Sequence, residues 1–178
     1  SNIYQGSSIF VPILDSNYNI YITSEYQYDV GGYALVIIPY SSWENGGERK
    51  TIAIGKSKPT TAPVIINDNL VCMGTEEGLK IIDISSQTVI NSISDIVTTV
   101  RPIVDSQGTI YCLLENSLVA LNTNTRIWQT SINGSAGNYI ALDEEEGYIY
   151  SVNKQGCLFY SGTFYSIINT TFLIDKNV

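Results

Sequence analysis

Pro102-Ile103-Val104-Asp105-Ser106-Gln107-Gly108-Thr109-Ile110-Tyr111-Cys112 lies without a gap on Pro12-Ile13-Leu14-Asp15-Ser16-Asn17-Tyr18-Asn19-Ile20-Tyr21-Ile22. Each stretch reads as a short apolar strand, a turn of Asp, Ser, Asn, Gln or Gly, and a second apolar strand carrying a tyrosine. Asp and Asn favour such turns because their side chains bond the local backbone and they tolerate left-handed dihedrals. Two further copies follow the pattern. One runs from Pro63 to Cys72, the other from Ile140 through Asp143-Glu144-Glu145-Glu146 to Ser151. This alignment brings Tyr21, Val71, Tyr111 and Tyr150 to one place in the repeat and sets Cys72 level with Cys112.

The spacing decides the architecture. Pro12 and Pro63 stand 51 residues apart, Pro63 and Pro102 39, and Pro102 and Ile140 38. A period of ~40 residues holding four short strands is the size of one propeller blade. In the second repeat the strands read Pro63–Ile66, Leu70–Gly74, Leu79–Asp83 and Val89–Ile93, and no stretch carries the 3.6-residue apolar period of a helix. The predicted fold is all-β: a β-propeller of four-stranded antiparallel blades, about four of them, in repeats near residues 10–60, 61–100, 101–138 and 139–170 of one domain or propeller fragment. Four blades make a closed small ring or part of a larger seven- or eight-bladed one. An open arc leaves two edge strands ready to pair, so completion by another chain or by more blades is expected.

Composition narrows the function. The 178 residues include 17 acidic and 9 basic side chains, a net charge of −8, which argues against a nucleic-acid-binding surface. There is no histidine, which removes Ser-His-Asp triads and His-ligated zinc or haem. No apolar run approaches the ~20 residues of a membrane-spanning helix. Cys72, Cys112 and Cys157 form no CxxC and no adjacent pair, and are expected to be buried thiols.

Downstream of the turns, Gly74-Thr75-Glu76-Glu77-Gly78-Leu79 and Leu118-Val119-Ala120-Leu121-Asn122 with Trp128 resemble the quinoprotein-like (PQQ-like) propeller repeat; Gly32-Tyr33-Ala34-Leu35 and Gly156-Cys157-Leu158-Phe159 are similar pieces. The resemblance spans roughly residues 10–168. Enzymes of that family hold a quinone and calcium on the ring axis, between a Trp and often a disulfide of adjacent cysteines. This chain has no adjacent cysteines, so the resemblance implies a scaffold without cofactor, with Trp128 packing between blades.

Two polar runs invite other chemistry. Asp15-x-Asn17-x-Asn19 offers oxygens at calcium-loop spacing but lacks the central Gly and the closing acid, so turn chemistry is the expectation. Asp143–Glu146 reads as a solvated hairpin turn rather than a cation or basic-loop site.

The first repeat is about twelve residues longer than the others, in two loops, 25–32 and 41–50. Insertions on a repeat scaffold tend to mark its binding face, and aromatics there supply contact area at low entropy cost. The candidate interaction residues are Tyr26, Tyr28, Tyr33, Trp43, Arg49 and Lys50, with Lys56 and Lys58 nearby. The expected function is a non-catalytic scaffold mediating protein–protein interaction or self-association through blade loops and edge strands, with no nucleic acid, no membrane span, no metal and no cofactor. The alternative is a receptor or enzyme taking a sugar or quinone on the propeller axis.

Overall fold

In the computed structural model, residues 9–26, 31–43, 46–132, 136–153, 158–162 and 168–171 are described. They form four four-stranded antiparallel sheets, each built from strands consecutive in sequence. The first sheet comprises β1 (Ile13–Leu14), β2 (Ile20–Tyr26), β3 (Gly32–Ile38) and β4 (Lys50–Gly55); the second β5 (Val64–Ile65), β6 (Leu70–Thr75), β7 (Gly78–Asp83) and β8 (Thr88–Ile93). The third holds β9 (Ile103–Val104), β10 (Ile110–Leu114), β11 (Ser117–Leu121) and β12 (Arg126–Ser131); the fourth β13 (Ala136–Asp143), β14 (Tyr148–Asn153), β15 (Leu158–Gly162) and β16 (Ile168–Thr171). The chain is all-β, of propeller class, with four blades. Its one helical turn among the described residues is a 3₁₀ turn at Tyr40–Ser42.

Burial explains why these runs became these strands. Middle strands such as β6 and β11 are covered on both faces, and their sequences are correspondingly continuous in apolar residues. Outer strands alternate instead: β8 reads exposed, half-buried, exposed along Thr88-Val89-Ile90-Asn91-Ser92-Ile93, the period-two pattern of a strand with one face in water.

The chain divides into two compact halves, Ser1–Val97 and Thr98–Val178. In the N-terminal half, Tyr21, Leu35, Ile37, Ile52 and Ile54 of blade one share a core with Val71, Met73, Ile82 and Ile84 of blade two. In the C-terminal half, Tyr111, Leu113, Leu118 and Ala120 of blade three pack with Ile149 of blade four.

Register corrects two expectations. Tyr21 lies opposite Ile13, Cys72 opposite Val64, Tyr111 opposite Ile103, and Tyr150 opposite Ala141. The residue of blade two in the tyrosine slot is therefore Cys72, not Val71, and Cys72 is not level with Cys112. Leu70 caused the misreading. It looks like the start of the apolar strand but stands where Asn19 and Thr109 stand, so the 39-residue offset between Pro63 and Pro102 runs straight through. In a strand, one residue of slip turns a side chain to the other face. Cys72 and Cys112 are buried thiols at 0% exposure, as expected; Cys157 lies outside the described residues.

Candidate functional site

The aligned Asp and Tyr of blades one and three are one device. The Asp15 carboxylate accepts hydrogen bonds from the amides of Asn17 (2.9 Å) and Asn19 (2.8 Å), the Asn19 carboxamide (2.7 Å) and the Tyr21 hydroxyl (3.0 Å). Asp105 repeats this with the amides of Gln107 (3.0 Å) and Thr109 (2.7 Å) and the Tyr111 hydroxyl (2.9 Å). With its oxygens taken by its own turn, Asp15 does turn chemistry. Partial burial works against its charge, but the hydrogen bonds from Asn19, Tyr21 and Asn17 outweigh this and hold the carboxyl below its ordinary value of 3.8. Burial, reinforced by the bonded aspartate, pushes the hydroxyls of Tyr21 and Tyr111 well above their usual 10.0.

A pH dependence follows at the alkaline end. A folded-state value raised above the unfolded one gives stability that is complete below the unfolded value and declines as pH rises through it towards the folded value. Denaturation midpoints are expected to fall as pH climbs above about 10, and ultraviolet titration of phenolate is expected to show two tyrosines ionising only on unfolding. Tyr21→Phe and Tyr111→Phe together remove both features.

The turn of blade one differs from its counterpart most at its left-handed position. Tyr18 occupies the left-handed place (φ 62°) that Gly108 occupies in blade three (φ 82°), and its amide bonds the Asp15 carbonyl as that of Gly108 bonds Asp105. A bulky residue there costs about 1 kcal/mol. The strain sets an aromatic ring on the surface, 61% exposed. Tyr18→Gly is expected to raise stability by roughly 0.5–1 kcal/mol, somewhat less than the strain because glycine frees the unfolded chain; a urea titration reads it.

Tyr18 has company. Its ring lies 5.8 Å from that of Tyr40, which lies 5.1 Å from that of Trp43, at interplanar angles of 49° and 70°. Tyr40 and Trp43 are 57% and 44% exposed. The Asn19 side chain joins the two loops by accepting the Tyr40 amide at 3.1 Å. With Val11 and Leu14, blade one carries five of the nine large exposed apolar side chains among the described residues.

Beside this ridge lies a cavity of about 590 Å³ between the first-strand turns of blades one and two, lined by Asp15, Ser16, Asn19, Lys50, Asn67 and Asp68 among others. Blades three and four hold its counterpart, about 310 Å³, lined by Asp105, Ser106, Tyr111, Trp128 and Glu144. Lys50 lies opposite Ile37, which pairs with Tyr21; Trp128 lies opposite Ala120, which pairs with Tyr111. Lys50 therefore takes the place of Trp128, whose ring packs 6.1 Å from that of Tyr111 and narrows the second cavity.

No protein-family model matches the chain, and no curated protein matches it. Among solved structures, the AfRom2 CNH domain is similar: TM-score 0.50 at 12% identity, over 94% of this chain and 56% of that one. This chain thus spans little more than half of that neighbour. At such identity the likeness concerns the fold.

Of the residues the sequence singled out, Trp43 belongs to the exposed ridge, Lys50 lines the larger cavity and Arg49 is exposed before β4. Tyr33 is not in a loop. It lies in β3 opposite Glu25 and Gly55 and packs half-buried against the core, because strand pairing extends to Tyr26–Gly32. Tyr26 ends β2 in that pairing, and Tyr28 lies outside the described residues. Sequence reasoning passed over Tyr18 and Tyr40. The signal for Tyr18 was present: a tyrosine aligned with Gly108 in a turn. Asp143–Glu146 forms the expected hairpin turn with its glutamates exposed, and in addition both Glu144 carboxylate oxygens accept the Ser106 amide, at 3.0 and 3.1 Å. Among the described residues no helix is long and apolar enough to cross a membrane.

Proposed function

We propose that this chain is a non-catalytic β-propeller module that holds another polypeptide against the aromatic ridge of blade one. The observation that carries this reading is Tyr18: a strained, left-handed turn residue whose exposed ring lies against that of Tyr40, which in turn meets the exposed ring of Trp43. Backbone strain of this kind persists where something other than stability favours it. Exposed Tyr and Trp are the anchors that polypeptide interfaces use most. The tilted and edge-on ring angles favour a polypeptide over a sugar, because rings so inclined offer no flat stacking platform. We read the blade sequence as PQQ-like, supported by Trp128 packing against the core that blades three and four share, as the family's tryptophan packs between blades.

Capture from native lysate, run side by side with wild type and Trp43→Ala and followed by direct titration of the purified partner, tests this. A partner that binds wild type and loses at least about ten-fold in affinity to Trp43→Ala, a hot-spot-sized effect, is expected. Trp43 is surface-exposed, so the variant should keep its melting temperature. Equal binding by both proteins contradicts the reading.

A further inference from the structure

We infer that the cavity beside the ridge takes a carboxylate side chain of the bound polypeptide, with the Ser16 amide and the Lys50 ammonium as its receptors. This rests on the polypeptide-binding reading of blade one and names the chemistry of the partner.

The C-terminal half shows what this kind of turn accepts. There Glu144, reaching from the first turn of blade four, places both carboxylate oxygens on the Ser106 amide of blade three. Asp105 does not prevent it, because that carboxylate faces its own turn amides and Tyr111. In the N-terminal half the same donor is Ser16, and the residue in the register of Glu144 is Asn67, two positions after Ile65 as Glu144 is two after Leu142. Asn67 cannot serve Ser16: it is neutral, and its side-chain oxygen is committed to the amides of Asn69 (2.9 Å) and Leu70 (3.0 Å). Among the described residues no acceptor bonds the Ser16 amide and no carboxylate pairs with Lys50.

Three changes thus convert the filled site of one half into an open one in the other. The in-chain carboxylate is gone, the Trp128 wall is replaced by a cation, and the cavity grows from about 310 to about 590 Å³. Asp15 and Asp68 both line the cavity and oppose an incoming acid. The Asp15 oxygens are engaged by its own turn and by the Tyr21 hydroxyl, and Asp105 in the same place does not prevent the Glu144 contact. A polypeptide side chain fits better than a small free acid because the receptor amide and Tyr18 of the ridge belong to the same turn, so one ligand engages both.

The test is a ¹⁵N–¹H NMR titration of the full chain with a blocked octapeptide alternating Leu and Glu, its Leu–Gln counterpart, and sodium acetate. The Leu–Glu peptide is expected to move the Ser16 amide downfield and saturably. The Ser106 amide, already held by Glu144, stays in place. Lys50→Ala and the Leu–Gln peptide each weaken binding about five-fold, and Asp68→Asn strengthens it. Asn67→Glu, which supplies an in-chain carboxylate, shifts Ser16 without ligand and abolishes the response; an otherwise unchanged spectrum shows that the variant is folded. Equal affinity for the two peptides, no response to either, or a Ser16 amide that stays still while a peptide binds overturns the inference. In the last case, loss of binding on Trp43→Ala leaves the ridge reading standing. Acetate moving Ser16 where the peptide does not overturns the polypeptide as source.

Discussion

Gly78→Ala is expected to destabilise the chain by about 4 kcal/mol, a fall in melting temperature on the order of 10 °C for a protein of this size. Gly78 opens β7 with φ +121°, a conformation that residues with a Cβ rarely adopt. Space adds to the strain. A Cβ there would lie 2.3 Å from the Ile93 carbonyl oxygen and 2.7 Å from the Ser94 Cα, both backbone atoms of the chain leaving β8. Relief needs displacement of that backbone, and interiors packed at crystal density have no slack for it. By contrast Gly55→Ala, at φ +102° with nothing within 4 Å, pays only the dihedral cost. Thermal denaturation of the two variants separates strain from clash: equal losses would show that crowding at Gly78 is unimportant.

The second large effect is at Asp105. Asp105→Ala is expected to cost about 3 kcal/mol in denaturant titration, because it strips the acceptor from two turn amides and from a tyrosine hydroxyl in a side chain that is 1% exposed. Asp105→Asn keeps an oxygen for the turn and is expected to lose about half as much. Asp15→Ala, whose turn is more open to water, should lose less than Asp105→Ala despite having more bonds, since water replaces the lost partners of exposed donors. If Asp15→Ala proved the more damaging, burial would not be what gives the Asp–Tyr pair its strength.

How much of this was legible in advance depended on distance along the chain. The blade count and strand order followed from the prolines and from the 39-residue offset, because the apolar strand runs and turn residues are local signals. Asp and Tyr six residues apart were visible in both turns, and blade two lacks both at once, with Ile66 and Cys72 in their places. The bond between them was nonetheless not read from the sequence, because the misaligned Leu70 had put Val71 rather than Cys72 in the tyrosine slot. The contacts that shape the candidate site were not legible. Tyr40 meets Asn19 across 21 residues and Glu144 meets Ser106 across 38, and nothing in either segment announces its partner. Tyr33 was misplaced for a related reason. The glycines before it read as a loop, whereas Gly32 pairs with Tyr26 and the strand simply begins there.

The central claim is that blade one accepts a strained turn in order to present a binding surface. The most direct test measures stability and partner affinity on one variant, Tyr18→Gly. The account predicts opposite movements: a gain of roughly 0.5–1 kcal/mol in stability with a loss of at least about ten-fold in affinity for the captured polypeptide. A Tyr18→Gly protein that is more stable and binds as tightly as wild type would contradict it.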